Sequence, residues 1–255
     1  MNNKLNEIIR HLDSIGLDEL KAYKLLNRID TKYLCHSENI GQVLEKAHKD
    51  FKIQEIGSSR NSSYETLYFD TPELKTYFDH HQGKRIRYKV RFRKYIDTGD
   101  VFLEVKKKRN YIRTNKKRSE FAFATCLDDE HYRFMKDCVK LPESKFNEAI
   151  WTVFDRITLA GRNHLERVTI DTNLRFRNGS NEVFLPDLSI IEVKREKSIS
   201  RSPFSAILYD EGIKPRGFSK YIMGNILLDP TIKHNRFKRR IVTVNKICYG
   251  TKCYK

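Results

Sequence analysis

The stretch Arg85-Ile86-Arg87-Tyr88-Lys89-Val90-Arg91-Phe92-Arg93-Lys94-Tyr95 alternates cations with apolar residues. A β-strand projects successive side chains to opposite faces, so Arg85, Arg87, Lys89, Arg91 and Arg93 fall on one face and Ile86, Tyr88, Val90 and Phe92 on the other. Same-face neighbours stand about 6 to 7 Å apart, which makes the charged face a rail for a string of phosphates. One such strand alone is more simply read as an amphipathic strand with a solvated charged face, but the pattern repeats. Val101 to Lys108 sets Glu104, Lys106 and Lys108 against Val101, Leu103 and Val105. Arg167 to Phe176 sets Arg167, Thr169, Asp171, Asn173 and Arg175 against Val168, Ile170, Leu174 and Phe176. Ile190 to Glu196 sets Glu192, Lys194 and Glu196 against Ile191 and Val193. In these three strands carboxylates share the face with the cations. Repeated mixed charge on one face predicts a sheet curled around a polar interior, with apolar outer faces that need helices to cover them.

The 255 residues suffice for one such domain with a sizeable core. Lys and Arg number 50 against 33 Asp and Glu, a net charge of +17, which calls for an anionic partner: nucleic acid, a membrane surface or a polyphosphate. Cys35, Cys126, Cys138, Cys248 and Cys253 are scattered, with no C-x-x-C spacing, so neither a disulfide framework nor a zinc site is supported. Met1 to Asp13 lacks the apolar core of a signal peptide, and no run of apolar residues is long enough to span a membrane. The expectation is a cytoplasmic protein with reduced thiols. No Walker P-loop and no G-x-G-x-x-G occurs, which removes conventional kinase and dinucleotide readings.

Along the chain, the pattern predicts a helix from about Leu5 to Leu26 interrupted at Gly16, a strand from Arg28 to Cys35, and a helix carrying Ile40, Val43, Leu44 and Ala47 behind an N-cap at Ser37. A strand over Tyr64 to Phe69 ends at Asp70-Thr71-Pro72, where Thr71 is expected to cap a short helix opened by Pro72. Paired strands then run to about Phe123, turning at Asp97-Thr98-Gly99-Asp100. Helices are predicted over Leu127 to Cys138 and Glu143 to Ala149, strands around Phe154, Ile170 and Ile191, and helices over Pro203 to Glu211 and Lys220 to Leu227. The organisation expected is a helical segment 1–27, a catalytic domain 28–228, and a basic tail or packing strap 229–255 without periodicity.

The motifs Thr31-Lys32-Tyr33, Tyr68-Phe69-Asp70-Thr71, Lys89 to Tyr95, Phe102 to Lys106, Arg167 to Asp171, Ile191 to Lys194 and Ser219-Lys220-Tyr221, in this order, resemble the catalytic domain of the VTC polyphosphate polymerases, members of the triphosphate tunnel metalloenzyme (CYTH-like) superfamily. The resemblance covers most of residues 28 to 228. It implies an α+β fold: a closed antiparallel eight-stranded tunnel, with helices outside, that binds ATP and Mn²⁺ or Mg²⁺ and transfers the γ-phosphoryl group to inorganic polyphosphate. Carried over by motif, Lys32, Arg91, Arg93, Lys106, Arg167 and Lys220 would act on the reacting phosphates. Arg156, Lys89, Lys194 and Arg118 would bind substrate, and Glu192, helped by Glu104, would hold the metal. Phe154 stands where the eukaryotic polymerases carry a tyrosine, which removes a hydroxyl donor beside Arg156. Without the SPX domain and membrane helices of the fungal subunits, the sequence reads as a stand-alone domain like the bacterial relatives.

The residue types suit this chemistry. Phosphoryl transfer through a loose transition state requires in-line positioning and cations on the non-bridging oxygens. Arginine forks bind those oxygens bidentately, lysines act as point charges, and a hard divalent ion needs only one or two carboxylates beside substrate oxygens. Other readings stay open: Glu104 and Glu192 as plain salt-bridge partners of Lys106 and Arg93, Asp171 as an orienter of Arg167 or Arg156, Asp30 as a structural residue or an acidic member of a tunnel-enzyme metal motif. Lys116, Lys117 and Arg118 read as a solvated turn from which one cation reaches inward. Tyr33, Tyr95 and Tyr221 read as core packing. Two alternative functions stand beside the polymerase: a tunnel-fold hydrolase of triphosphate or nucleoside triphosphates, and a nucleic-acid or polyanion-binding module. Specific nucleic-acid recognition is not expected, because the basic strands lack an exposed aromatic platform and carry carboxylates on the same face.

Overall fold

The computed structural model describes residues 3–23, 27–109, 113–140 and 145–250. The N-terminal pattern gives α1 (Asn3–His11), a two-residue strand β1 (Ser14–Ile15) and α2 (Leu17–Ala22). β2 (Arg28–His36), α3 (Asn39–Ala47), β3 (Phe51–Gln54), β4 (Ser62–Asp70) and α4 (Lys75–His81) follow. The charged rail forms β5 (Arg87–Tyr95), with β6 (Val101–Arg109) and β7 (Arg113–Glu120) beside it and α5 (Asp129–Cys138) after them. Then come β8 (Asn147–Gly161), β9 (Glu166–Asn178), β10 (Asn181–Leu185), β11 (Leu188–Glu196), α6 (Pro203–Asp210), α7 (Lys220–Leu228) and α8 (Lys238–Tyr249).

The sheet runs β2-β11-β9-β8-β4-β5-β6-β7, antiparallel throughout this path. It curls into a half-barrel. Among the described residues β2 and β7 do not pair, so the expected closed tunnel is corrected to an open one. Alternation within strands identifies faces but carries no information on whether the two edges meet. The cations Lys116 and Arg118 on β7 and Lys32 on β2 also oppose close approach.

The convex face is apolar and covered by helices, as the alternation predicts. Val168, Ile170, Ile191 and Val193 pack with Ile40, Val43 and Leu44 of α3 and Phe204 and Leu208 of α6. Leu67, Val90, Phe92, Leu103 and Val105 pack under Met135 of α5. Burying each such side chain stabilises the fold by about 1.5–3 kcal/mol relative to exposure, which ties the helices to the outside of the sheet.

One end of the concave face is apolar as well. Leu34, Ile190, Tyr64, Tyr68 and Phe154 there form one core with Phe218 and with Tyr221, Ile222 and Met223 of α7. α7 can lie this close because Gly224 leaves no side chain: a Cβ there would sit 2.6 Å from Ile150 and 2.7 Å from Phe176.

Several local expectations are corrected. Arg85 precedes the strand and does not join the rail. Ser37 is not an N-cap; its hydroxyl donates to the Pro186 carbonyl, 2.9 Å, tying α3's entry to the β10–β11 turn. Pro72 does not open α4, which starts at Lys75, although Thr71 Oγ1 does accept from the Lys75 amide. The helix expected over Glu143 to Ala149 lies partly outside the described residues, and from Asn147 the chain is strand β8, because pairing with β4 outweighs a local helical pattern. From Asn235 the chain is helical rather than irregular, and Val244 of α8 is buried in the core that contains α7. The described cysteines Cys35, Cys126, Cys138 and Cys248 are free thiols. No described helix is long and apolar enough to cross a membrane.

Candidate functional site

Register brings the charged residues to one concave surface. Opposed residues in an antiparallel pair share a face. Lys32 lies opposite Glu192, and Asp30 opposite Lys194, across β2 and β11. Glu192 faces Thr169 and Lys194 faces Arg167 on β9, while Asp171 faces Arg156 on β8. On the other wall Tyr68 faces Arg91, Thr66 faces Arg93, Arg91 faces Glu104 and Lys89 faces Lys106. α7 contributes Lys220 and its N-cap Ser219.

Two ion clusters organise the surface. Arg91 donates to Glu104 through Nε at 2.8 Å and Nη2 at 2.6 Å and to the Tyr68 hydroxyl at 3.0 Å; Lys116 pairs with the same carboxylate, which is 1% exposed. Arg156 grips Asp171 with a fork, Nε to Oδ1 at 2.5 Å and Nη2 to Oδ2 at 2.8 Å, while Lys220 takes the Oδ2 side. Glu192 stands between Lys194 and Lys32, the latter at 3.6 Å, and Lys32 also donates to the Phe218 carbonyl. An aromatic floor lies beneath. Tyr64 and Phe154 stack with planes 4° apart, and the Lys220 ammonium is 3.7 Å from the Phe154 ring centre, with Arg93 and Arg156 over the same pair.

Other cations have no carboxylate. Among the described residues Lys106 and Arg167 make no hydrogen bond or ion pair; Arg93 reaches only the Thr66 hydroxyl at 3.4 Å, and Lys89 only the Ser219 hydroxyl at 2.7 Å. Charge balance sets the titration. Burial opposes ionisation of Glu104, Asp171 and Glu192, yet the cations around each outweigh it and hold all three below the usual carboxylate range. The surplus cations bear the opposite effect. Burial, with repulsion from neighbouring cations, pushes Lys89 well below its ordinary value, and burial brings Lys220 to about 7 despite Asp171, because Asp171 is already matched by Arg156. Lys106 falls to about 8 through burial and Lys32, and Lys116 to about 8 through burial, offset in part by Glu104. Lys106 is exposed and Lys116 is 40% exposed, so both keep part of their hydration.

The structure therefore gathers Lys32, Lys89, Arg91, Arg93, Lys106, Arg156, Arg167, Lys194, Lys220, Glu104 and Glu192 on one face. Arg118 shares that face opposite Glu104 but is exposed at the sheet edge, its guanidinium lying on Phe102. Glu104 pairs with Arg91 and Lys116 rather than Lys106, Glu192 with Lys194 and Lys32 rather than Arg93, and Asp171 with Arg156 and Lys220 rather than Arg167. Glu104 and Glu192 do not form a metal cluster; no group of three metal-ligating side chains occurs among the described residues. The donor set still fits an ion carried in on phosphates, because Glu192 with Asp30 diagonally opposite supplies the one or two carboxylates such an ion accepts. Tyr64, Thr66 and Tyr68 line this face too; their period-two spacing in β4 was the available signal. Tyr221 is buried beneath the site, donating its hydroxyl to Asp70.

A curled antiparallel sheet with a cation-lined concave face and helices outside defines the class: a triphosphate-tunnel fold. Among solved structures, a Hippeastrum protein described as an adenylyl cyclase candidate with a dominant triphosphatase activity is 15% identical, with a TM-score of 0.52 over 82% of this chain and 100% of its own. An adenylate cyclase candidate from Vibrio parahaemolyticus is 12% identical, with a TM-score of 0.48 over 78% of this chain and 99% of its own. No curated protein sequence matches. The VTC domain profile matches residues 27–228, and the chain belongs to the VTC domain family.

Proposed function

We propose that the protein is a polyphosphate polymerase that transfers the γ-phosphoryl group of ATP to a growing inorganic polyphosphate chain. The observation that carries this reading is the set of cations without a carboxylate hydrogen-bonded or ion-paired to them, Lys89, Arg93, Lys106 and Arg167, on the one concave surface, with Lys89 directly opposite Lys106. Uncompensated cations on an enclosed face are stabilised by a polyanion, and their distribution over β5, β6 and β9 suits a run of phosphates rather than one.

Arg91 and Arg93 hold non-bridging oxygens from one wall, Arg167 and Arg156 from the other, and Lys32, Lys106 and Lys220 supply point charges between them. The terminal oxygen of the acceptor chain attacks the γ-phosphorus in line; the new P–O bond forms as the β–γ bridging bond breaks, and the electron pair leaves with ADP. Lys220 and Lys106, with depressed proton affinities, take up protons as the phosphates arrive and so match the incoming charge. Glu192, with Asp30, would hold Mn²⁺ or Mg²⁺, which supplies further charge neutralisation on the phosphate oxygens when bound. Because β2 and β7 do not pair among the described residues, the acceptor can enter from the side.

One observation favours a second reading, a triphosphate hydrolase. Phe218, Tyr221 and Ile222 pack across part of the concave face, which narrows the path for a polymer and suits transfer to water. Incubating the protein with ATP and Mn²⁺ or Mg²⁺ and resolving products by gel separates the two. Exopolyphosphatase-sensitive polymer with ADP supports the polymerase; free phosphate without polymer overturns it in favour of the hydrolase.

A further inference from the structure

The charged rail does not end at the candidate reaction centre. Beyond Lys89 and Lys106, the next same-face cross-strand pair is Arg87 and Lys108, so two successive pairs on β5 and β6 oppose cation to cation. Like charges directly opposite one another destabilise a sheet. From Arg93 to Arg87 the rail extends for ~20 Å, more than the three phosphorus centres of a triphosphate can follow.

α8, which lies beyond the family match, brings further cations to that end. The C-terminus of α4 is the bridge. Arg87 donates to the Lys84 carbonyl at 2.9 Å, and on the other side Arg236 donates to the His81 carbonyl at 3.2 Å. His80 sets its ring edge on Phe237, 5.9 Å between centres, and the Arg240 guanidinium covers the same Phe237 ring at 5.2 Å. Arg240 also faces Gly217, two residues before Ser219, which receives Lys89. His80 thus sits among Lys89, Arg87, Arg240 and Lys108, and burial followed by those charges lowers its proton affinity. The nearby carboxylate of Asp79 is already occupied by Lys75 and Lys84. Neither Lys108 nor Arg240 has a carboxylate partner among the described residues.

We propose that Lys108 of β6 and Arg240 of α8, with Arg87 beside them, form a second phosphate-binding station that holds the distal segment of a linear polyphosphate chain while its terminus occupies the concave site. This rests on the polymerase reading for its occupant. The station adds affinity for chains long enough to reach it and none for triphosphate. It anchors the product against dissociation between transfers, so chain length, not the chemical step, depends on it.

The test uses the full chain with the substitutions Lys108→Gln and Arg240→Gln, which keep the packing stems. Binding is measured with inorganic triphosphate, long-chain polyphosphate and a single-stranded oligonucleotide over a salt series. The double variant is expected to bind long-chain polyphosphate about tenfold more weakly, with the slope of log affinity against log salt reduced by about 1.4 for two lost cations. Triphosphate affinity and the melting temperature are expected to stay unchanged, and the polymer made from ATP to shorten. Equal weakening for triphosphate and polymer, no weakening for either, or the same loss from Lys49→Gln with Lys136→Gln elsewhere on the surface would overturn the station. So would wild-type binding of the oligonucleotide as tight as that of polyphosphate. A selective loss of long-chain binding in a protein that makes no polymer would sink the polymerase reading and leave the station standing. Normal polymer length with unaltered long-chain binding would do the reverse.

Discussion

Binding of a polyphosphate to this surface should be coupled to proton uptake, and the structure sets its size. In the ligand-free protein Lys220 titrates at about 7 and Lys106 and Lys116 at about 8. At pH 8, Lys220 is then ~0.1 protonated and the other two ~0.5 each, whereas beside a bound polyanion each returns toward the ordinary lysine value of about 10.4. Uptake is about 0.9 proton from Lys220 and up to ~0.5 from each of the others. The exposed ammonium groups of Lys106 and Lys116 retain hydration and contribute less, which places the total between about one and two. At pH 6 the same arithmetic gives ~0.1, since all three are already charged. The sign is fixed: these lysines have lowered affinities in the free protein, so affinity for the anion falls as pH rises through 7 to 8. Calorimetric titration of triphosphate, without metal, in buffers of different ionisation enthalpy reads the net proton number, and the difference between wild type and Lys220→Arg removes the protons that triphosphate itself gives up. Lys220→Arg should remove about one proton of uptake at pH 8. A difference between wild type and Lys220→Arg of less than ~0.3 proton at pH 8, or one that grows toward pH 6, would refute the reasoning that surplus cations on the concave face await a polyanion.

Arg91→Ala or Arg93→Ala should lower turnover about a hundredfold or more while leaving the protein folded; a double variant with normal activity and normal melting would remove the concave face as the reaction site. Of the two, Arg91→Ala should be the less stable, because Glu104 then keeps only Lys116, and thermal melts should place the loss at about 1–3 kcal/mol. Glu192→Gln should abolish the divalent-ion dependence of catalysis, and an unchanged Mn²⁺ titration would exclude Glu192 as the ligand. Gly224→Ala should destabilise by roughly 1–3 kcal/mol, since its Cβ would meet Ile150 and Phe176; denaturant unfolding with an unshifted midpoint would show that α7 is not held as tightly as its packing implies.

The charged faces of β5, β6, β9 and β11, their covered apolar backs, and most of the site were legible in the chain itself. Side-chain alternation is a local property, and a row such as Lys89, Arg91, Arg93 carries charges that the apolar side against the helices does not accommodate, so the strand and its polar face follow from the same residues. The order of the motifs extended this to the family. What alternation could not carry was anything that depends on contacts distant in sequence. Strand β8 formed where a helix was expected at Asn147, because its partners on β4 lie some eighty positions earlier. Glu104 and Asp171 each had several plausible cations in sequence, and only tertiary placement assigned Arg91 with Lys116 to one and Arg156 with Lys220 to the other. The open edge between β2 and β7, the apolar fill from α7, and the docking of α8 on α4 were likewise decided in three dimensions. Local chemistry dictates which face of a strand a charge occupies; which charges meet depends on register, curl and helix docking, free energies shared among residues that no single stretch of sequence contains.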